Sequence, residues 1–259
     1  MSVALAQYAA LSRRSLVNTL RQPQSIIPSL TFPLIFLALN AAALGRSTGL
    51  PGFPPVDSFL QFQFTTTVVQ GTLFGSIVAG AGMARDIEDG FFERLVAAPT
   101  SRTSILVGRL AGAFGLAFFQ AWLFFAIATP FGLDVDGGLV AMLAISLAAA
   151  VLAAGVGAIS VAFGLKTGSS EAVQGAFPML FALMFLSSAF FPRPLLQGWF
   201  EDVAAANPFS YLIEDLRHQV IFGLDAGRIA TALSIAGAIF LVGIVASSLA
   251  LRQRLAETG

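Results

Sequence analysis

Six long apolar runs dominate the sequence, separated by short polar segments. Each is close to the roughly twenty residues that an α-helix needs to cross a bilayer. Only 11% of the side chains are charged and 56% are hydrophobic, whereas about a quarter are charged in soluble proteins. The sequence therefore predicts an all-α polytopic membrane protein with a single domain over residues 1–259. The six predicted transmembrane helices cover about residues 25–44, 62–83, 105–131, 138–163, 173–191 and 229–251.

A charged segment, residues 85–102, separates the second and third apolar runs. It carries three of the chain's 14 Lys and Arg residues and four of its 14 Asp and Glu residues. Such a segment cannot lie in hydrocarbon, so it predicts a short connection on one membrane face. Within it, a short helix would place apolar side chains on one face and acids on the other: Ile87, Phe91, Phe92, Leu95 and Val96 against Asp86, Asp89 and Glu93.

We expect this short coupling helix to dock on a partner outside the membrane and to transmit the partner's movement. The alternative is a helix that lies on lipid head groups. Three basic and four acidic residues give residues 85–102 a net charge of −1. This charge disfavours the alternative, because an anionic leaflet attracts basic segments rather than acidic ones.

The distribution of Arg and Lys predicts the orientation of the chain, because cytoplasmic connections carry the excess of positive charge. With the N-terminus inside, nine basic residues lie on the cytoplasmic face and four on the outer face. Arg109 lies just inside the third span, where its side chain can reach the cytoplasmic face. Both termini and residues 85–102 are therefore predicted to be cytoplasmic. The inner set is Arg13, Arg14, Arg21, Arg85, Arg94, Arg102, Lys166, Arg252 and Arg254; the outer set is Arg46, Arg193, Arg217 and Arg228.

Residues 4–22 predict an amphipathic helix before the first span. Arg14 and Arg21 fall on one side of this helix, and Leu16 and Leu20 fall on the other. This pattern is typical of a helix in the membrane interface with its arginines toward the head groups. A helix packed on a soluble domain is the alternative, and it is disfavoured because no soluble domain follows.

Residues 192–228 form the longest outer connection and are predicted to contain amphipathic helices. Asn207 followed by proline is a typical helix start, with Asn as the N-cap. We expect the apolar side of this helix to dip into the outer leaflet. We also expect Glu214 to pair with Arg217 or His218, one turn further along the helix.

The residues needed for most catalytic and metal sites are missing. The chain has no cysteine and a single histidine, so neither a thiolate nucleophile nor a typical zinc site can form. It has no G-x-x-x-x-G-K-[ST] loop for ATP, and its formal net charge of zero does not indicate nucleic acid as a partner. We therefore expect no catalytic residue, metal or cofactor in this chain.

The spans carry uncharged polar side chains and many phenylalanines. No Asp, Glu, Lys or His lies near mid-membrane, which disfavours a proton-coupled carrier and leaves sodium coordination by backbone carbonyls open. Hydrogen bonds between helices explain most of the polar groups, but Gln70, at mid-span, is expected to line a substrate surface. Phenylalanines face lipid or provide an aromatic wall for a hydrophobic ligand. The predicted substrate path comprises Thr66, Gln70, Phe74, Gln120, Phe181 and Phe185.

Two motifs resemble the membrane subunits of type 2 ABC transporters, the ABC-2 permeases. The first, D-I-E-D-G-F-F-E-R-L-V-A-A-P at residues 86–99, is similar to the cytoplasmic coupling loop of that family. Its G-F-F-E-R form looks closest to permeases of the daunorubicin/doxorubicin-resistance type. The second, N-P-F-S-Y-L-I-E-D-L-R at residues 207–217, is similar to the stretch before the family's last span. The resemblance extends to the predicted topology of the whole chain.

The resemblance implies a multi-pass exporter subunit of a bacterial plasma membrane. Two copies of a separate ABC ATPase would bind ATP and Mg²⁺ and push on the coupling loop, and a second permease copy, identical or related, would complete the path. The cargo would be a hydrophobic small molecule or a lipid, as in multidrug efflux and antibiotic resistance. The residues expected at the ATPase interface are Arg85, Asp86, Ile87, Glu88, Phe91, Phe92, Glu93, Arg94 and Leu95.

Three other functions share part of this pattern. A permease of the same family could export lipid-linked saccharide, and the outer residues Trp199, Phe200 and Tyr211 do not decide between the two cargoes. An ion-coupled secondary carrier is disfavoured by the missing membrane carboxylates. An intramembrane enzyme is disfavoured because no nucleophile is visibly placed beside a base.

Overall fold

The computed structural model describes residues 10, 12–17, 21, 23–97 and 102–257. Across these residues the chain is a bundle of α-helices, and no strand occurs among them. Of the helix predicted over residues 4–22, the structure describes positions 10, 12–17 and 21, and residues 12–17 are helical. The rest of this predicted helix lies outside the described residues. The further helices are α1 (Pro23–Leu44), α2 (Phe59–Glu88), α3 (Phe91–Ala97), α4 (Arg102–Ala128), α5 (Gly138–Thr167), α6 (Ser170–Gly175), α7 (Phe177–Phe185), α8 (Trp199–Ala206), α9 (Pro208–Ile221) and α10 (Ala226–Glu257).

Five helices in the described part of the chain are long and apolar enough to cross a bilayer: α1, α2, α4, α5 and α10. They coincide with the first four predicted spans and the sixth, as expected for a multi-pass membrane protein. α2 and α10 run several residues past the predicted limits, because their polar ends continue the helix beyond the apolar run.

The predicted fifth span, residues 173–191, differs from this pattern. Its apolar run is divided into α6 and α7, which together cover residues 170–185. The division follows from Pro178, which lies in the first turn of α7 and has no N–H to continue the hydrogen bonds of α6. Residues 186–191 then leave the helix in a series of turns. The count of six spans therefore stays a prediction, and it depends on this broken segment.

Two central helices, α2 and α5, are the most buried of the five. They approach closely because small residues face each other. A Cβ atom at Gly80 would lie 2.3 Å from the carbonyl oxygen of Ser160, and one at Gly164 would lie 2.6 Å from that of Gly80. α5 meets α10 in the same way, since a Cβ atom at Gly243 would lie 2.4 Å from the carbonyl oxygen of Gly155. The backbones are in direct contact at these points.

The other long helices surround this pair. α4 packs against both α2 and α5, α1 packs on α2, and α10 packs on α5. α1 and α10 leave most of their apolar surface exposed, as expected for helices that face lipid. The bundle has two different ends. The coupling end carries residues 85–97, and the distal end, opposite to it, carries α8 and α9.

α9 closes the distal end of the bundle. It begins where predicted: the backbone N–H of Phe209 donates to Oδ1 of Asn207 at 2.9 Å, and Pro208 is the first helical residue. The surroundings of its apolar side differ from the prediction. Ile213 and Val220 are completely buried in the core that α2, α5 and α10 share, so this side of α9 contacts protein rather than a lipid leaflet.

The ion pair predicted within α9 is wrong. Glu214 pairs with Arg193, which belongs to a short 3-10 helix, Arg193–Leu195, before α8. Neither Arg217 nor His218 forms an ion pair with Glu214. Arg217, which is 4% exposed, instead donates to carbonyl oxygens inside the bundle. A local spacing rule could not detect this arrangement, since Arg193 is distant from Glu214 in the sequence.

Gly80→Ala should lower the free energy of unfolding by roughly 1–3 kcal/mol, because the new methyl group overlaps the backbone of α5. The measurement is unfolding of the detergent-solubilised protein by SDS. Gly237→Ala is the matched control: a Cβ atom at Gly237 of α10 meets no atom within 4 Å, and alanine favours a helix over glycine by about 1 kcal/mol. Equal losses from the two substitutions would contradict the close packing of α2 on α5.

Candidate functional site

The charged connection at the coupling end contains two helices rather than one. α2 continues to Glu88, and α3 begins at Phe91. Between them Gly90 has a φ of 63°, a left-handed conformation that glycine adopts more easily than other residues. The turn at Gly90 divides the predicted coupling helix, so its apolar residues do not share a single face. Residues 98–101 of the predicted coupling loop lie outside the described residues.

Phe92 anchors α3 in the bundle. Its side chain is 1% exposed and belongs to a cluster of buried residues that includes Met83 of α2 and Leu106 of α4. Ile87 and Leu95 are partly buried against the same cluster. Much of the apolar surface predicted to dock on a partner therefore packs on the chain's own helices. Arg85 is half-buried, and the exposed residues here are Glu88, Asp89, Glu93, Arg94, Val96 and Ala97.

Asp86 makes two ion pairs at the same end. Its carboxylate pairs with Arg109 of α4, and with Arg14, from the N-terminal helical residues, at 3.5 Å. Arg109 also donates from Nη2 to the carbonyl oxygen of Gly82 at 3.2 Å. The side chains of Asp86 and Arg109 are only 16% and 14% exposed. Loss of either partner would therefore leave a largely buried, uncompensated charge.

The N-terminal helical residues pack directly on α4. Ser15 donates from Oγ to the carbonyl oxygen of Arg109 at 3.2 Å, and the guanidinium of Arg14 lies 4.0 Å from the centre of the Phe91 ring. The sequence predicted that Arg14 would turn toward lipid head groups and that Arg109 could reach the cytoplasmic face. In the structure both arginines pair with Asp86, so Arg14 has a protein partner instead of head groups. No spacing rule links three residues from three separate segments, so no sequence pattern indicates this contact.

Two further contacts tie the coupling end to the other helices. Glu88 accepts hydrogen bonds from N and Oγ of Ser170, the first residue of α6, at 2.7 and 3.0 Å. Arg254 of α10 donates to the carbonyl oxygen of Leu165 at 3.0 Å, and its guanidinium lies 5.9 Å from the centre of the Phe92 ring. A displacement of α3 would thus act on helices throughout the bundle. We call the central group of contacts the coupling cluster: Arg14, Asp86, Phe92 and Arg109.

The phenylalanines of the predicted substrate path come together on one side of the bundle. The ring centre of Phe74 on α2 lies 4.4 Å from that of Phe177 and 5.3 Å from that of Phe181, both on α7. Phe185 lies 5.2 Å from Phe181, and Phe32 of α1 lies 5.2 Å from Phe74. Phe32 and Phe185 are each 41% exposed, so part of this surface is accessible. We call it the aromatic face: Phe32, Phe36, Phe74, Phe177, Phe181, Phe185 and Phe190.

Gln70 lies one turn from Phe74 on α2 and is completely buried. Among the described residues, neither its Nε2 nor its Oε1 has a hydrogen-bond partner, and the same is true of Gln63, two turns earlier. Gln120 of α4 donates from Nε2 to the carbonyl oxygen of Ser29 at 2.7 Å, but its Oε1 has no protein partner within the same residues. A buried polar group without a hydrogen bond costs about 1–3 kcal/mol. These amides therefore need an explanation other than packing.

Thr66 has full hydrogen bonding, in contrast to these amides. Its Oγ1 donates to the carbonyl oxygen of Ala189 at 2.7 Å and accepts from Nη2 of Arg217 at 3.1 Å. Both bonds join α2 to segments distant in the sequence, as polar groups between membrane helices often do. Thr66 therefore connects α2 to its neighbours, and its place in the substrate path stays a prediction.

Comparisons with known proteins agree with this architecture. A family model described as ABC-2 type transporter matches residues 6–221, which include the coupling cluster and the aromatic face. A relative named as the transport permease ycf38, from Porphyra purpurea, is 26% identical over 216 residues, which cover 83% of this chain and 74% of the relative. A protein of the same name from Cyanophora paradoxa is 25% identical over 213 residues, with 80% and 71% covered.

Asp86→Asn should lower the free energy of unfolding by about 3 kcal/mol, because the buried guanidinium of Arg109 would lose its counter-charge. Unfolding of the detergent-solubilised protein by SDS measures this loss. Asp89→Asn is the matched control, since Asp89 is exposed and surface substitutions change stability by about 0.5 kcal/mol or less. If Asp86→Asn cost no more than Asp89→Asn, the ion pairs would not hold this end of the bundle together.

Proposed function

The chain belongs to the ABC-2 type transporter family, and we propose that it is the permease of an ABC exporter for a hydrophobic or amphipathic molecule. Family membership supports a membrane permease of an ABC transporter and implies an ABC ATPase as its partner. We further propose that it moves a drug-like molecule or a lipid outward from the cytoplasm or the inner leaflet, as a permease of the daunorubicin/doxorubicin-resistance type. Two ATPase copies would bind ATP and Mg²⁺ and supply the energy.

The coupling cluster is the observation that carries this proposal. α3 is a short helix with a buried anchor, Phe92, and an exposed charged side. An ATPase that pushes on the exposed side would displace Phe92 and strain the ion pairs of Asp86. Close-packed helices move as bodies rather than deform, so this push would reach α2, α4, α5 and α10. Glu88 would carry the movement to α6 through Ser170.

The exposure of each residue divides the predicted ATPase interface into two sets. We propose that the exposed set contacts the ATPase and that the buried set transmits the movement into the bundle. The exposed set is Glu88, Glu93 and Arg94, to which we add the exposed neighbours Asp89 and Val96; the buried and half-buried set is Arg85, Asp86, Ile87, Phe91, Phe92 and Leu95.

The aromatic face supports the proposed cargo. Its rings offer a broad apolar surface that is partly exposed in a single chain, and a second permease copy placed against it would enclose a path between the two. A homodimer is the simpler arrangement, and a related permease would serve as well. The unpaired amides of Gln63 and Gln70 favour a cargo that also carries hydrogen-bonding groups. Lipid-linked saccharide, which has hydroxyl groups beside a lipid chain, is therefore the second candidate.

The proposed membrane is a bacterial plasma membrane, with both termini in the cytoplasm. The distribution of Arg and Lys supports this orientation. In this orientation the coupling end would lie inside, where an ATPase with ATP is available, and α8 and α9 would lie outside. The broken segment of α6 and α7 would then return the chain to the outer side as the fifth span. An ion-coupled carrier is not proposed, because the spans hold no carboxylate near mid-membrane.

Glu93→Arg should weaken binding of the ABC ATPase by roughly three- to tenfold, because it reverses an exposed charge at the proposed contact. The measurement is titration of the purified permease with the ATPase that co-purifies with it, together with ATP hydrolysis in proteoliposomes. Glu201→Arg, an equal charge reversal at an exposed position of α8, is the matched control. An unaltered affinity of the Glu93→Arg variant, or a wild-type permease that transports without any ATPase, would overturn the proposed coupling.

Gln70→Leu should raise the free energy of unfolding by about 1–3 kcal/mol, because it removes a buried amide that has no protein partner. If Gln70 lines the path, the same variant should lose transport of cargo with hydrogen-bonding groups while ATPase binding is unchanged. Thr66→Val is the contrasting variant: it should lower stability, since Thr66 makes two hydrogen bonds. Normal transport by a stabilised Gln70→Leu permease would remove Gln70 from the path.

A further inference from the structure

A cavity of about 490 Å³ opens at the distal end of the bundle. Its walls come from residues 52–54, the start of α2, residues 192–194, α9 and the first turn of α10. The volume is within the range of about 300–1,000 Å³ that is typical of small-molecule sites. Phe53, Phe62 and Phe222 give it an apolar lining, and Phe222 is 53% exposed near α10. The cavity is remote from the coupling cluster, which lies at the other end of the bundle.

Arg217 is the buried cation in the wall of this cavity. Its Nε donates to the carbonyl oxygen of Phe62 at 2.9 Å, and Nη2 donates to Thr66 and Ala189 at 3.1 and 2.7 Å. Nη1 donates once, to the carbonyl oxygen of Ser188 at 3.3 Å, which leaves one of its two protons for another acceptor. The guanidinium also lies 3.7 Å from the centre of the Phe62 ring. All of these partners are neutral.

Arg217 is only 4% exposed, and a buried charge usually has a charged partner. No carboxylate of the described residues forms an ion pair with it. The other arginines of the cavity are compensated. Arg193 pairs with Glu214, donating from Nε at 2.8 and 3.1 Å, and Arg228 pairs with Asp215 at 3.1 Å. Burial lowers the pKa of Arg217 to about 9, so the group is still charged at neutral pH. The nearby charge of Glu214 acts against this lowering of the pKa, but Glu214 is already paired with Arg193, so Arg217 has no ion-pair partner of its own.

His218, the next residue of α9, also lines the cavity. Its Nδ1 is buried and has no hydrogen-bond partner among the described residues, and its ring centre lies 4.9 Å from that of Phe222. Burial lowers the pKa of this histidine below its usual value, so the imidazole is neutral at neutral pH. A neutral imidazole can present one N–H donor. The imidazole of His218 and the guanidinium of Arg217, which has no ion-pair partner among the described residues, thus both belong to the wall of one largely apolar cavity.

We propose that this cavity binds the anionic head group of an amphiphile, a phosphate or a carboxylate that carries an apolar chain. The anion would take the free proton of Arg217 and a hydrogen bond from His218, and it would supply the missing counter-charge. The apolar chain would lie along Phe53, Phe62 and Phe222 and leave the cavity at the exposed edge of Phe222. This site is independent of the proposed transport path, because it shares no residue with the aromatic face or the coupling cluster.

The experiment measures binding of dodecyl phosphate to the purified permease in a neutral maltoside detergent by isothermal titration calorimetry. Dodecylphosphocholine, which has the same chain but a zwitterionic head group, is the matched ligand. We expect dodecyl phosphate to bind at one site and roughly tenfold or more tightly than dodecylphosphocholine, since a hydrogen bond to a charged group is involved. Equal affinity for the two ligands would overturn the proposal.

Variants locate the bound anion. His218→Phe should weaken dodecyl phosphate binding roughly tenfold, because one charge-assisted hydrogen bond is lost, and His218→Asn, which keeps a donor, should restore most of the affinity. Arg46→Gln is the control, since it removes an exposed positive charge from the distal end outside the cavity. Arg217→Gln should abolish binding; because it also removes contacts to α2, His218→Phe remains the deciding variant if Arg217→Gln does not fold. Unchanged binding by His218→Phe would overturn the proposed site.

Nanodiscs distinguish a membrane lipid from a soluble amphiphile. If the ligand is a lipid, discs that contain phosphatidylglycerol should raise the melting temperature above that in phosphatidylcholine discs, and His218→Phe should remove the increase. If the ligand is a soluble amphiphile, the two discs should give the same melting temperature and added dodecyl phosphate should raise it in both. Either result supports an anion site. A permease insensitive to lipid charge and to dodecyl phosphate in discs would overturn it.

Discussion

Hydrocarbon offers no partner for a hydrogen bond, and this constraint decides where each polar group of the chain lies. The backbone meets it by forming helices, and α2, α5 and α10 then pack through glycines that let their backbones touch. Side chains that carry charge are held at the two ends of the bundle. Asp86 and Arg109 neutralise each other at the coupling end, and Arg217 is enclosed by carbonyl oxygens and an aromatic ring at the distal end.

The same constraint makes residues of the coupling end move together. A largely buried ion pair cannot be separated without exposing a charge to an apolar environment, so Asp86 and Arg109 move together. Phe92 fills the space between the ends of the helices and has no room to move alone. A displacement of α3 would therefore also displace the helices that pack against it. This property is what the proposed coupling to an ATPase requires.

Periodicity and composition predicted the long helices correctly, because an apolar run near twenty residues has few alternatives. The helix start at Asn207 was also predictable, since the N-cap bond is local. The failures are contacts between distant segments. Glu214 pairs with Arg193 rather than one turn along its own helix, and the apolar residues of α3 turn inward because Gly90 and neighbouring helices redirect them. The cavity beside Arg217 needs five separate segments and has no sequence signature.

The exceptions to the constraint are the most informative groups. Gln63 and Gln70 are buried beside well-packed apolar residues, yet their amides have no protein partner in the described chain. A leucine at either position would satisfy the packing at lower cost, so packing alone does not account for an amide there. Both lie on the same side of α2 as Phe74, which belongs to the aromatic face. An amide row beside aromatic rings is the lining that an amphipathic cargo needs, because the rings match its apolar part and the amides match its polar part.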